Sequence, residues 1–197
     1  MARNKWTPVV GAALILLFTG CEGSDSPDPE SPSVGTRVSP LAELHTISAA
    51  GDPLADVQGA VRVLAELQYT QSRLIAYSNG ESCGILVLAD NDSKGKRIHL
   101  VSKWPAEGDG SNVYPAGPYN SASGAGDAGT WASMLCSKNA MVIEYAPGEE
   151  GGPKQSRGQI AVTSVPNDRA TSRIVIGDSG ARRQIEGKAK RPGAPTP

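Results

Sequence analysis

Eight short apolar runs, separated by turn-forming residues, set the limits on what this chain can fold into. They occupy residues 61–69, 73–77, 83–89, 97–103, 131–136, 141–145, 159–165 and 172–177. In the first, Val61, Val63, Ala65, Leu67 and Tyr69 alternate with Arg62, Glu66 and Gln68, and Leu64 alone breaks the period of two. Such alternation belongs to a strand with one buried face. The second and third runs flank Ser78-Asn79-Gly80-Glu81-Ser82, where Asn-Gly readily supplies the positive φ angles of a hairpin turn. Val165-Pro166-Asn167-Asp168 is a further turn signal. The pattern predicts a mainly β domain, a compact antiparallel sandwich or barrel of about eight short strands. One short helix is expected before it, over residues 53–60, with Asp52 as its cap and Pro53 at the first position.

The N-terminus reads differently. Arg3 and Lys5 precede an apolar run from Val9 to Phe18, which ends in Thr19-Gly20-Cys21. A run this short cannot cross a hydrocarbon core of ~30 Å as a helix, but it suits the central region of an export signal. Leu17-Phe18-Thr19-Gly20-Cys21 resembles the lipobox of a bacterial lipoprotein signal peptide. The family's aliphatic residue three places before the cysteine is replaced here by Phe18. The resemblance covers residues 1–21 only. It implies that residues 1–20 are removed, that Cys21 is lipidated, and that the mature chain is membrane-anchored on the extracytoplasmic side.

Export gives the three cysteines separate roles. With Cys21 carrying lipid, Cys83 and Cys136 remain as an even pair in an oxidising compartment, where a disulfide is the expected state. The alternative, a Cys/His metal site, has no Cys-x-x-Cys to build on and only His45 and His99 to draw from. A disulfide would tie an early strand to a middle one, with Trp104 and Trp131 packing beside it. Cysteine, tryptophan and cysteine in that order invite comparison with immunoglobulin domains, yet Met134 stands where the corner tyrosine would be needed. The mature chain has no phenylalanine, since the only one is Phe18, so Val, Ile, Leu and Ala must fill the core.

Both ends of the mature chain are poor in apolar residues. Residues 21–40 form a Ser/Pro/Asp spacer that cannot bury enough surface to offset its ordering entropy. Residues 41–180 form the globular part, and 181–197 a basic Pro/Gly tail expected to be unpacked, with five bases against one acid. Such a tail could touch anionic lipid, although a plain solvated tail is the default reading. The formal net charge of −1 gives no case for nucleic acid.

Residues 105–130 are the most unusual stretch of the globular part, rich in glycine and proline with no apolar run. A structureless loop of that length is uncommon in a compact domain and is often functional, the alternative being a flexible excursion pinned at its far end by Cys136. Tyr114, Tyr119, Asn120 and Trp131 are the candidate binding surface, for an envelope protein or glycan, because amphipathic rings bury area at low entropic cost. Gly124-Ala125-Gly126-Asp127-Ala128-Gly129 matches a dinucleotide fingerprint, but no buried strand runs directly into it, so no cofactor is expected. Asp90-Asn91-Asp92-Ser93-Lys94-Gly95 begins like a calcium loop and then puts lysine at a ligand position and Val101 at the bidentate one. His99, inside a strand, and His45, beside the spacer, are the only histidines for a hydrolase, and no Gly-x-Ser-x-Gly elbow presents a nucleophile. The reading reached is a tethered domain with a non-catalytic binding or structural role at the bacterial envelope. An envelope hydrolase acting on peptidoglycan or glycan is the alternative.

Overall fold

A computed structural model describes residues 37–89, 92–127, 129–166 and 168–189. The export segment, Cys21, most of the spacer, and residues 190–197 lie outside them, as do Asp90 and Asn91 of the calcium-like turn. Ten strands form: β1 (Val61–Gln68), β2 (Ser72–Asn79), β3 (Ser82–Ala89), β4 (Asp92–Lys103), β5 (Asn120–Ala125), β6 (Trp131–Cys136), β7 (Met141–Ala146), β8 (Gln155–Gly158), β9 (Ile160–Val165) and β10 (Asp168–Ile176). One helix, α1 (Ser179–Ala189), follows. The strands make two antiparallel five-stranded sheets, ordered β4-β3-β2-β1-β8 and β5-β6-β7-β10-β9. Four consecutive strands thus lie in one sheet, unlike the interleaved order of an immunoglobulin sandwich.

Burial explains the pattern of each strand. In β6, Ala132, Met134 and Cys136 are buried and Trp131 faces outward, the alternation of a strand with one covered face. β2 and β3 are buried almost continuously because they are covered twice. The second sheet covers them on one side. On the other, Leu54 packs on Ile75, Tyr77, Leu86 and Leu88, with Ala49 and Val57 beside it. Between the sheets lie Leu64, Leu67, Leu74, Ile85, Val87, Met134, Ile143, Ile174 and Ile176. With no phenylalanine among the described residues, tyrosines add the aromatic volume. Tyr69 and Tyr145 meet edge to face at 5.0 Å, and the Tyr145 hydroxyl lies 2.8 Å from Ser72 Oγ.

All eight expected strands are present, and four other expectations are corrected. Residues 53–60 are turns rather than a helix: the Ala55 and Val57 N–H groups donate to Asp52 and Leu54, and Gly59 at φ 88° departs from helical backbone. Among the described residues before β1, the only helical piece is the single 3-10 turn Leu41–Glu43. The stretch 105–130 is not structureless throughout, since β5 pairs along the whole of β6. The spacer gives way to folded chain before residue 41, because the Ser39 N–H donates to the Asp178 carboxylate and Val38 packs against the base of α1. The tail begins later than residue 181, because α1 buries Ala181 and Ile185 against Val142 and Val175 of the second sheet. Asp178 caps that helix, its Oδ1 accepting the Ala181 N–H at 2.7 Å.

Gly158 closes one side of the sandwich. Its backbone lies against β1, where an added Cβ would come within 2.2 Å of the Leu64 carbonyl oxygen, and its φ of 109° favours glycine. Only Gln159 separates β8 in the first sheet from β9 in the second.

Candidate functional site

Cys83 of β3 and Cys136 of β6 form a disulfide between the two sheets, with Cα atoms 5.9 Å apart and neither residue exposed. Trp104 packs half-buried against the core cluster that contains both cysteines. Trp131 does not. It lies five residues from Cys136 along β6, roughly 17 Å at ~3.4 Å per residue, and on the opposite face, where it is 38% exposed.

The loop between β4 and β5 is built around Tyr119. Its backbone exchanges two 2.9 Å hydrogen bonds with Ser111, its hydroxyl donates to the Pro115 carbonyl, and its ring lies so close to Gly117 that a Cβ there would come within 2.6 Å. Burial pushes its ionisation well above the ordinary tyrosine value, and the hydroxyl stays a donor. Ala116 beside it takes a φ of 66°, uncommon without glycine, and Ser137 Oγ lies 2.8 Å from its carbonyl oxygen. Tyr119 is therefore a pillar of the loop rather than part of its surface. Asn120 is a strut, donating through Nδ2 to the Lys103 carbonyl at 3.2 Å and so joining the start of β5 to the end of β4. Tyr114 is half-buried, its ring packed at the edge of the cluster that contains Tyr119, Val142 and Val175. Its neighbours are Tyr119, edge-on at 6.5 Å, and the Arg173 guanidinium, 6.0 Å from the ring centroid. Glu144 fixes that guanidinium through Nε at 3.1 Å and Nη2 at 2.7 Å. Of the four surface candidates, the structure joins Tyr114 and Tyr119, leaves Asn120 as a backbone tie, and separates Trp131.

Two hollows flank residues 113–118. One, of about 470 Å³, is bounded by Pro115 and by Arg183, Gln184, Gly187 and Lys188 of α1. The other, of about 340 Å³, is bounded by Pro105, Glu107, Gly117, Pro118, Lys138 and Asn139. The helix side of the first hollow is what sequence reasoning missed, and the signal for it was Asp178 followed by apolar residues four apart, Ala181 and Ile185. Away from this end, Glu66 is buried between Arg73 at 3.3 Å and Arg157 at 3.2 Å, an ion-pair cluster on the outer face of the first sheet.

His99 is an exposed residue of β4 whose Nε2 lies 2.8 Å from the Tyr77 hydroxyl. Burial, aided by the charge of Asp56, pushes that hydroxyl up to about 12. His45 is exposed, and its backbone N–H donates to Gln159 Oε1 at 3.3 Å. Gly124 of the fingerprint-like segment sits inside β5 against Leu100, so that segment begins within a strand instead of a phosphate-binding turn. Among the described residues, no three His, Cys, Asp or Glu side chains gather as a metal site, and no helix is long and apolar enough to cross a membrane.

In comparisons with known proteins, the chain matches no family model, no curated protein and no solved structure.

Proposed function

We propose that this chain is an envelope lipoprotein, acylated at Cys21 and presenting its sandwich outside the cytoplasm as a non-catalytic binding or structural module. The observation that carries the reading is the disulfide between the sheets. A disulfide of this kind persists in oxidising compartments, and it agrees with the apolar run 9–18 that ends beside Cys21. Acylation through two chains gives a stable anchor, where one chain gives only a marginal hold. The contact face of the module is the Tyr114 ring with the two hollows beside it.

Two measurements test this. In detergent phase partitioning of cells making the full chain, the parent is expected in the detergent phase and Cys21→Ser in the aqueous phase; equal partitioning of both would overturn the anchor. Capture of intact envelope fragments by the purified mature chain is expected to weaken in Tyr114→Ala and to persist in Trp131→Ala. The reverse order would move the contact face to the outward face of the second sheet.

A further inference from the structure

We propose that the hollow between α1 and residues 113–116 seats the phosphate of an anionic phospholipid headgroup, so that this end of the domain rests on the membrane that anchors it. The inference builds on the anchored reading above. Its first support is charge. Among the described residues the hollow is lined by two cations, Arg183 and Lys188, and by no acid; the one acid of α1, Glu186, is not in its lining. Lys188 Nζ donates to the Val113 carbonyl, which fixes the ammonium between helix and loop. Arg183 is exposed and has no hydrogen bond or ion pair among the described residues, so its planar fork is available to phosphate oxygens.

The second support is Gly187. It keeps an ordinary helical backbone inside the last turn, where glycine is a poorer helix former than alanine, and a Cβ there would touch nothing within 4 Å. Neither backbone conformation nor packing asks for glycine at that position. Its effect is to keep the hollow open.

The third support is where the anchor would arrive. Val38 packs against the cluster containing Ala181 and Ile185, so the chain coming from Cys21 meets the folded domain beside α1. Sixteen residues lie between Cys21 and Val38, a reach of at most ~55 Å at ~3.4 Å per residue, enough to let this end touch the bilayer. Anionic lipid attracts each nearby Lys or Arg strongly enough for about a fivefold change in binding per cation.

The test uses the mature chain with Cys21→Ser, so that no acyl chain contributes and failure of the anchor is scored separately by the phase partitioning above. Sedimentation with vesicles of phosphatidylglycerol and phosphatidylcholine in equal parts is expected to carry the protein down, and vesicles of phosphatidylcholine alone are not. Arg183→Gln with Lys188→Gln should weaken binding by about 25-fold. Gly187→Leu keeps every charge and a good helix former but fills the hollow, and should weaken it as well. Equal binding to both vesicles, or undiminished binding in either variant, overturns the proposal. Saturable binding of inorganic phosphate with no vesicle binding would assign the hollow to a free anion instead, and would equally overturn it.

Discussion

Replacing Cys83 and Cys136 together by alanine is expected to remove a large share of this domain's stability. The two residues are 53 apart in sequence, and closing a loop of that length restricts the unfolded chain by about 14 cal/mol/K, or ~4 kcal/mol at 25 °C. Both side chains are fully buried, so losing the sulfur atoms adds a small cavity cost to that figure. For a domain of this size each kcal/mol corresponds to ~2–4 °C, giving an expected fall of ~8–16 °C in Tm. The assay is scanning calorimetry of the mature chain, with urea unfolding in parallel. Because the constraint acts on the denatured state, the urea m-value should rise when the crosslink is lost, as the unfolded chain expands. A fall of less than ~3 °C with an unchanged m-value would refute the reasoning and leave hydrophobic packing as the sole determinant of stability.

Gly158→Ala should destabilise the fold by at least ~2 kcal/mol, because the new Cβ meets the Leu64 carbonyl oxygen on a backbone at positive φ; a neutral result in urea unfolding would show that β8 shifts freely. Ile185→Ala should cost ~2–4 kcal/mol and raise hydrogen exchange across α1, whereas an unpacked tail would show no change in either. Asp178→Ala removes the cap of α1 and the Ser39 contact, with an expected cost of ~1 kcal/mol. Burial alone would raise the Asp178 carboxyl, but N–H donors from Ala181, Ser39 and Gly180 prevail and hold it below the usual aspartate range. Its contribution is therefore present at neutral pH and is lost as pH falls below ~3.9 through the lower folded value. The parent should lose stability relative to Asp178→Asn across that acid window, and parallel pH profiles would count against the assignment.

Most of the sandwich was legible because its strands are apolar runs between turn residues, alternating in β6 and nearly continuous in β2 and β3. The two strands that escaped lack that signal. β5 reads Asn-Ser-Ala-Ser-Gly-Ala, where alternation exists only among small residues, and β8 is an exposed polar edge of four residues. Helix α1 escaped for a related reason: among five charged or amide side chains and two glycines, only Ala181 and Ile185 anchor it, and their partners Val142 and Val175 come from β7 and β10 of the second sheet. In the other direction, Asp52 and Pro53 are sound helix-start residues, but burying Leu54 on the first sheet and the positive φ of Gly59 favour separate turns. At the candidate site, the unusual glycine and proline content of the 105–130 stretch was readable from its composition. Which tyrosine is fully buried was not, because that depends on Pro115, Gly117 and Ser137 closing around Tyr119.

The one-residue link at Gln159 and the disulfide lie toward opposite margins of the sandwich. At the β8–β9 margin the chain passes from sheet to sheet with no slack, like the spine of a book. At the β4–β5 margin the sheets are joined by the long segment between Lys103 and Asn120, which by itself would let the covers part. Cys83 and Cys136 sit one strand in from that loose margin, on β3 and β6. The bond therefore acts as a clasp placed where the book would otherwise open. Reduction should release β4 and β5 first, and with them the loop that carries Tyr114, while the β8–β9 spine stays shut.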